Sequence, residues 1–148
     1  MTALGSEDLL VQVDGGVATI TLDRPDKKNA MTPAMDRLMR EAIRALDADE
    51  AVRAIVITGA GDSFCSGLDI SSGGAAFGED AMAAHDAEVG FTSDTIAEAW
   101  GIWKLGTPTI CAINGHAIGA GMSFTLLFDI RYAAEDAKLS FVFPRRGL

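Results

Sequence analysis

Two segments of this chain carry the residue types to hold negative charge with backbone alone. The first is Ile110-Cys111-Ala112-Ile113-Asn114-Gly115-His116-Ala117-Ile118-Gly119-Ala120-Gly121-Met122-Ser123-Phe124, in which an apolar β-type run ends at Asn114, glycines punctuate the next residues, and an apolar helical run over 122–128 follows. Backbone N–H groups converge where a strand hands over to a helix, and the positive end of the helix dipole lies there too. Such a place stabilises a phosphate or an oxygen that becomes anionic during a reaction. The second segment is Phe64-Cys65-Ser66-Gly67-Leu68-Asp69-Ile70, which follows the apolar run 54–58. If both runs lie in one parallel sheet, both segments emerge at its carboxyl edge and present two N–H donors to one oxygen.

Better-known anion motifs do not fit. Gly119 and Gly121 begin a G-x-G-x-x-G pattern, but position 124 is Phe and no acidic ribose partner is suitably placed. No Gly-Lys-Ser/Thr follows, so there is no P-loop, and Ser123 stands in Gly121-Met122-Ser123-Phe124-Thr125 rather than in G-x-S-x-G. The alternative task for these glycines is close helix–strand packing by small residues.

The elements that must position these segments are legible in part. Residues 9–13 and 17–22 read as two strands joined by Asp14-Gly15-Gly16, a hairpin opening. A polar loop with three cations, Arg24, Lys27 and Lys28, leads to Thr32-Pro33, an N-cap and first-turn pair that starts a helix running to about residue 47. Met35, Leu38, Met39, Ala42, Ile43 and Leu46 form its apolar stripe, with Arg37, Arg40, Glu41 and Arg44 on a solvated face. Residues 54–58 read as a central parallel strand buried on both sides. Residues 71–90, rich in Gly, Ala and acids, read as a covering segment, either a lid or an inert surface loop. Ile96, Ala99, Trp100, Ile102 and Trp103 make a helical stripe ending near Gly106, and strands are expected at 109–113, 129–134 and 139–143. Strands alternating with helices imply α/β layers.

Composition excludes several function classes. The chain has 148 residues, 49% hydrophobic and 22% charged, which suits one domain and excludes disorder. Its net charge of −9, from 12 Lys+Arg against 21 Asp+Glu, argues against nucleic acid or an anionic membrane as a general partner. No apolar run reaches bilayer-spanning length, and residues 1–8 lack a signal-peptide pattern, so a cytoplasmic location is the default expectation. Cys65 and Cys111 lack metal-ligand spacing and read as reduced core thiols.

Taken together, Arg24-Pro25-Asp26-Lys27-Lys28-Asn29-Ala30-Met31, the 64–70 segment, Ala112 through Gly121, and Asp129-Ile130-Arg131-Tyr132-Ala133 resemble the successive blocks of the enoyl-CoA hydratase/isomerase (crotonase) superfamily, in order and at the right separations. The resemblance implies an α/β fold, a crotonase-like spiral of ββα units, with residues 1–148 forming the core domain without the family's C-terminal helical part. It also implies a homotrimer or hexamer and an acyl-CoA thioester as substrate, with no further cofactor and no metal. By the same resemblance the oxyanion hole falls on the backbone N–H groups of Leu68 and Ala120, the latter standing where glycine is usual. CoA binding falls on Arg24, Lys27, Lys28, Ser66, Gly67, Leu68, Asp69, Ile70 and Gly119.

The carboxylates depart from the family's pattern. Counting without gaps, the two glutamates of the hydratases fall on Ser123 and Phe143, neither of which exchanges a proton at neutral pH. Isomerisation of a double bond needs only one such group, and the ending Phe141-Val142-Phe143-Pro144-Arg145-Arg146-Gly147-Leu148 resembles a branch whose glutamate lies a few residues farther on. Three readings follow: an enzyme isomerising or hydrating an enoyl-CoA through a thioester enolate, a non-catalytic acyl-CoA binder, and a thioesterase using Ser123. Asp69 is expected to fix the turn that aims the Leu68 N–H, and His116 to pack or lie at the surface.

Overall fold

The computed structural model describes residues 5–71 and 101–143. The expected covering segment over 71–90, Ser71 apart, and Ile96, Ala99 and Trp100 of the tryptophan stripe lie outside the described residues. The chain opens with the hairpin expected from Asp14-Gly15-Gly16: β1 (Leu9–Asp14) pairs antiparallel with β2 (Val17–Leu22). A 3-10 turn (Pro25–Lys27) precedes helix α1 (Pro33–Asp47), whose N-cap Thr32 accepts a hydrogen bond from the Met35 N–H at 3.2 Å.

Every later pair of strands divides between two sheets. β3 (Ala54–Gly59), β5 (Thr109–Ile113) and β7 (Ile130–Ala133) extend the hairpin as parallel neighbours, giving the order β1-β2-β3-β5-β7. β4 (Ser63–Cys65), β6 (His116–Ile118) and β8 (Leu139–Ser140) form a second, parallel sheet in the order β4-β6-β8. The short helix α2 (Ala120–Thr125) follows β6 directly. From β3 onward each strand pair thus lays one strand in the large sheet and the next in the small one, and with helices following β2 and β6 this is the spiral of ββα units.

The core lies between α1 and the large sheet and continues under the small one. Met35, Met39 and Ile43 of α1, Leu9, Ile20 and Leu22 of the hairpin, and Ile55 and Ile57 of β3 are fully or almost fully buried together with Phe64 of β4. Two details differ from the sequence reading. Ala54, Val56 and Thr58 alternate with these residues on β3 and are only partly covered, so the strand is not buried on both faces. Arg40, placed on a solvated face by the stripe, is buried and pairs with Asp36 one turn earlier at 3.0 Å, their side chains 6% and 5% exposed. Both thiols are free and buried, and loss of solvation raises Cys65 to about 11 and Cys111 to about 12. Among the described residues no helix is long and apolar enough to cross a membrane.

Candidate active site

The two glycine-bearing segments meet because β4 and β6 are neighbours. They run parallel, with Ser63 beside His116 and Cys65 beside Ala117, so Ser66-Gly67-Leu68 and Gly119-Ala120 leave adjacent strand ends. Three contacts seat them. Phe64 of β4 stacks on Phe124 of α2 with ring centres 6.4 Å apart, and Phe124 meets Phe128 edge-on at 4.8 Å. Gly121 lies so close to Cys65 that an added Cβ would collide with its carbonyl. A Cβ on Gly67 would stand 3.1 Å from the Ile118 oxygen and 3.5 Å from the Ala120 nitrogen, which places the Leu68 turn against the start of α2.

Peptide planarity then aims both donors. In a trans peptide the carbonyl and the following N–H point in opposite directions. The Gly67 oxygen accepts from the Met31 N–H at 2.8 Å, so the Leu68 N–H points away from Met31. The Gly119 oxygen accepts from the Met122 and Ser123 N–H groups, both at 3.0 Å, so the Ala120 N–H points out of the helix start. Among the described residues neither the Leu68 nor the Ala120 N–H donates a hydrogen bond. The methyl of Ala120 brings no backbone strain, because the left-handed angle of this turn falls on Gly119 (φ 57°, ψ −125°).

The cationic loop folds inward. Ser66 N–H donates to the Lys28 oxygen at 3.0 Å, Ser66 Oγ to the Lys27 oxygen at 3.4 Å, and Asp69 N–H to the Met31 oxygen at 2.9 Å, so the loop is zipped to the Leu68 turn. Arg24 donates to the Ala30 oxygen at 2.6 Å and pairs with Asp69 at 2.9 Å and Asp8 at 3.6 Å, its side chain 15% exposed. Hydrogen bonds from Ser71, and then from the Arg24 guanidinium, hold the Asp69 carboxyl down to about 2. Lys28 is exposed and bonds Asp62 at 2.8 and 2.9 Å, which lowers the Asp62 carboxyl below its ordinary value. Lys27 and Ile70 face solvent.

Ser123 Oγ donates to the Gly119 oxygen at 3.4 Å, a bond back into its own helix. His116 Nδ1 accepts from the Lys138 N–H at 3.3 Å, so no imidazole stands as base to Ser123 among the bonds of the described residues. The Phe143 N–H donates to the Phe141 oxygen. No group of three or more His, Cys, Asp or Glu gathers as metal ligands among the described residues.

Two asparagines do positioning work that the sequence reading passed over. Asn29 is fully buried; its Oδ1 accepts from the Arg24 N–H at 2.9 Å and its Nδ2 donates to the Ala60 and Ser63 oxygens at 2.8 and 2.7 Å. Asn114 Oδ1 accepts from the Gly59 N–H at 3.0 Å while Nδ2 donates to the Gly61 oxygen at 3.0 Å. Between them they fix the connection from β3 to β4, and hence where the Leu68 turn begins. Asn29 sits at φ 54°, a conformation asparagine tolerates better than most residues, and that is the local signal available in sequence.

Comparison with known proteins bears on family and fold. The family model for enoyl-CoA hydratase/isomerase matches residues 12–148. An enoyl-CoA hydratase of Alternaria alternata is 44% identical over 147 residues, covering 93% of this chain and 46% of that protein. The 1,2-epoxyphenylacetyl-CoA isomerase of Escherichia coli is 33% identical over 142 residues, covering 96% of this chain and 53% of that protein. The crystal structure of a probable enoyl-CoA hydratase/isomerase from Mycobacterium abscessus superposes with a TM-score of 0.74 at 37% identity, over 95% of this chain and 51% of that one. The chain therefore spans about half the length of the relatives it matches. With the family model covering nearly all of it and the fold shared, the chain belongs to the enoyl-CoA hydratase/isomerase family.

Proposed function

We propose that the protein is an acyl-CoA-binding enzyme that isomerises or hydrates an enoyl-CoA through a thioester enolate held by the Leu68 and Ala120 N–H groups. One observation carries this reading: two N–H groups at neighbouring strand ends, each opposite an anchored carbonyl and neither bonded among the described residues. A thioester oxygen gains negative charge as the enolate forms, and pre-placed donors lower that barrier by roughly 3–4 kcal/mol each. In the same reading Lys27 and Lys28 face the anionic end of CoA, and Ser66, Gly67, Ile70 and Gly119 line its path. Arg24 is turned inward and acts on Asp69 instead. The assembly proposed with it is a homotrimer or hexamer.

Isomerisation is favoured over hydration, because it needs one proton-transfer group where hydration needs two. Asp69 is a poor base at about 2, far below the near-neutral value suited to proton transfer, and Ser123 is bonded within its helix. Incubating the full-length protein with 3-enoyl-CoA and 2-enoyl-CoA tests the proposal; if neither is isomerised or hydrated, it fails. The same two residues support a second reading, a non-catalytic acyl-CoA binder. Calorimetry showing tight acyl-CoA binding without turnover selects it, and absence of binding removes both.

A further inference from the structure

The pairing that aims the Leu68 donor is short. Met31 and Leu68 form an isolated parallel bridge, made only of the Met31 N–H to Gly67 oxygen bond and the Asp69 N–H to Met31 oxygen bond, with no continuing ladder on either side. An isolated pair of this kind lacks the neighbouring bonds that fix register in a sheet. On one side the Ser66 N–H bond to the Lys28 oxygen adjoins it, and across it reaches one guanidinium. Arg24 Nη1 donates to the Ala30 oxygen, immediately before Met31, and pairs with the Asp69 carboxylate, immediately after Leu68, so one guanidinium nitrogen spans both strands of the bridge at 2.6 and 2.9 Å. The other carboxylate oxygen of Asp69 accepts from the Ser71 N–H at 2.9 Å, and the backbone of Arg24 is tied by its N–H to buried Asn29. Both charged side chains are largely covered, 15% and 13% exposed, which shields the pair from solvent screening.

We propose that Arg24 and Asp69 are positioning residues that set the direction of the Leu68 N–H, so that the charge of Arg24 serves the oxyanion hole by orienting its donor and not by binding CoA phosphate. This rests on the oxyanion reading above and adds to it the device that holds one donor in place. A guanidinium bridging two strands restricts rotation of the Gly67–Leu68 peptide; without it that peptide turns about an isolated bridge, and the donor spends less time facing the thioester oxygen. Loss of aim weakens polarisation of the substrate carbonyl while leaving the CoA contacts in place.

The test uses infrared spectra of a bound acyl-CoA carrying an isotope-labelled thioester carbonyl, with kinetics alongside, in full-length Asp69→Asn and Arg24→Gln. In the unaltered protein the carbonyl band moves to lower wavenumber on binding. In both variants the shift shrinks by more than about half and kcat falls roughly tenfold or more, while KM stays within about threefold. Arg24→Lys, which keeps the charge but loses the fixed planar direction of Nη1 and the Nε contact to Asp8, falls between, and supplies the reading should either neutral variant lose its native circular dichroism. A shift that survives intact in the folded variants overturns the positioning role alone. No shift in the unaltered protein overturns the oxyanion reading and the positioning role with it.

Discussion

At the scale of single residues, the site consists of backbone, and side chains matter by what they do to backbone. Gly67 occupies φ 105°, where a side chain is strained, and its missing Cβ leaves room for the Ala120 nitrogen 3.5 Å away. Gly67→Ala is therefore expected to lower unfolding free energy by ~1–3 kcal/mol in urea titration. It should also weaken acyl-CoA turnover roughly tenfold or more, since the strained φ and the 3.1 Å approach of the added methyl to the Ile118 oxygen shift the Leu68 turn. Asp69 makes a prediction in pH. Its carboxyl is held at about 2, below its ordinary 3.8, so the folded state binds fewer protons than the unfolded one through that interval. The stabilisation is present in full above the unfolded value and is lost as pH falls from about 4 toward 2. Thermal unfolding followed across that range should show a steeper loss in the unaltered protein than in Asp69→Asn; parallel curves would contradict the assignment. In sequence, the glycines of the site were legible as places of close approach, whereas Leu68 and Ala120 came only through family resemblance, because a backbone donor leaves no signature in its side chain. Arg40 is buried where its stripe position suggested solvent, and Arg24 pairs with a carboxylate far off in sequence. A cation in a polar loop or beside an apolar stripe looks solvated until the carboxylate that covers it is known, and Asp69 lies 45 residues from Arg24.

At the scale of elements, the long regular pieces were readable and the short ones that build the site were not. The hairpin, α1 and β5 match their expected limits closely, since each has a sustained period or a defined turn or cap. β4 and β6 have three residues each, Ser-Phe-Cys and His-Ala-Ile, too few for alternation to show. Residues 59–70 and 114–121 consequently read as loops, and the donors were placed at the edge of the large sheet when they leave the small one. The second sheet is a tertiary product: it forms because Asn29 and Asn114 fold the chain back after β3 and because Phe64 stacks on Phe124. Phe64→Ala removes a fully buried ring from the contact that seats α2 on β4. It should destabilise the protein by ~3–5 kcal/mol in denaturant unfolding. An effect under ~1 kcal/mol would mean that α2 is held by other contacts.

At the scale of the whole molecule, the spiral turns sequence order into the candidate site. Odd-numbered strands from β3 onward build the large sheet and even-numbered ones the small sheet, so consecutive turns bring β4 and β6 together although about fifty residues separate them. Family resemblance foretold this arrangement; periodicity alone gave only α/β layers. The chain matches about half of its relatives' length, and the proposed donors make an electrophilic half-site with no proton-transfer group assigned among the described residues. The claim to test is therefore that this half-site grips a thioester carbonyl. Calorimetry of the intact protein with a saturated acyl-CoA and with its thioether counterpart, in which a methylene replaces the carbonyl, isolates that contact. Two N–H···O bonds at ~0.5–1.5 kcal/mol each predict roughly tenfold tighter binding of the thioester. Equal affinity for the two would contradict an oxyanion hole at Leu68 and Ala120.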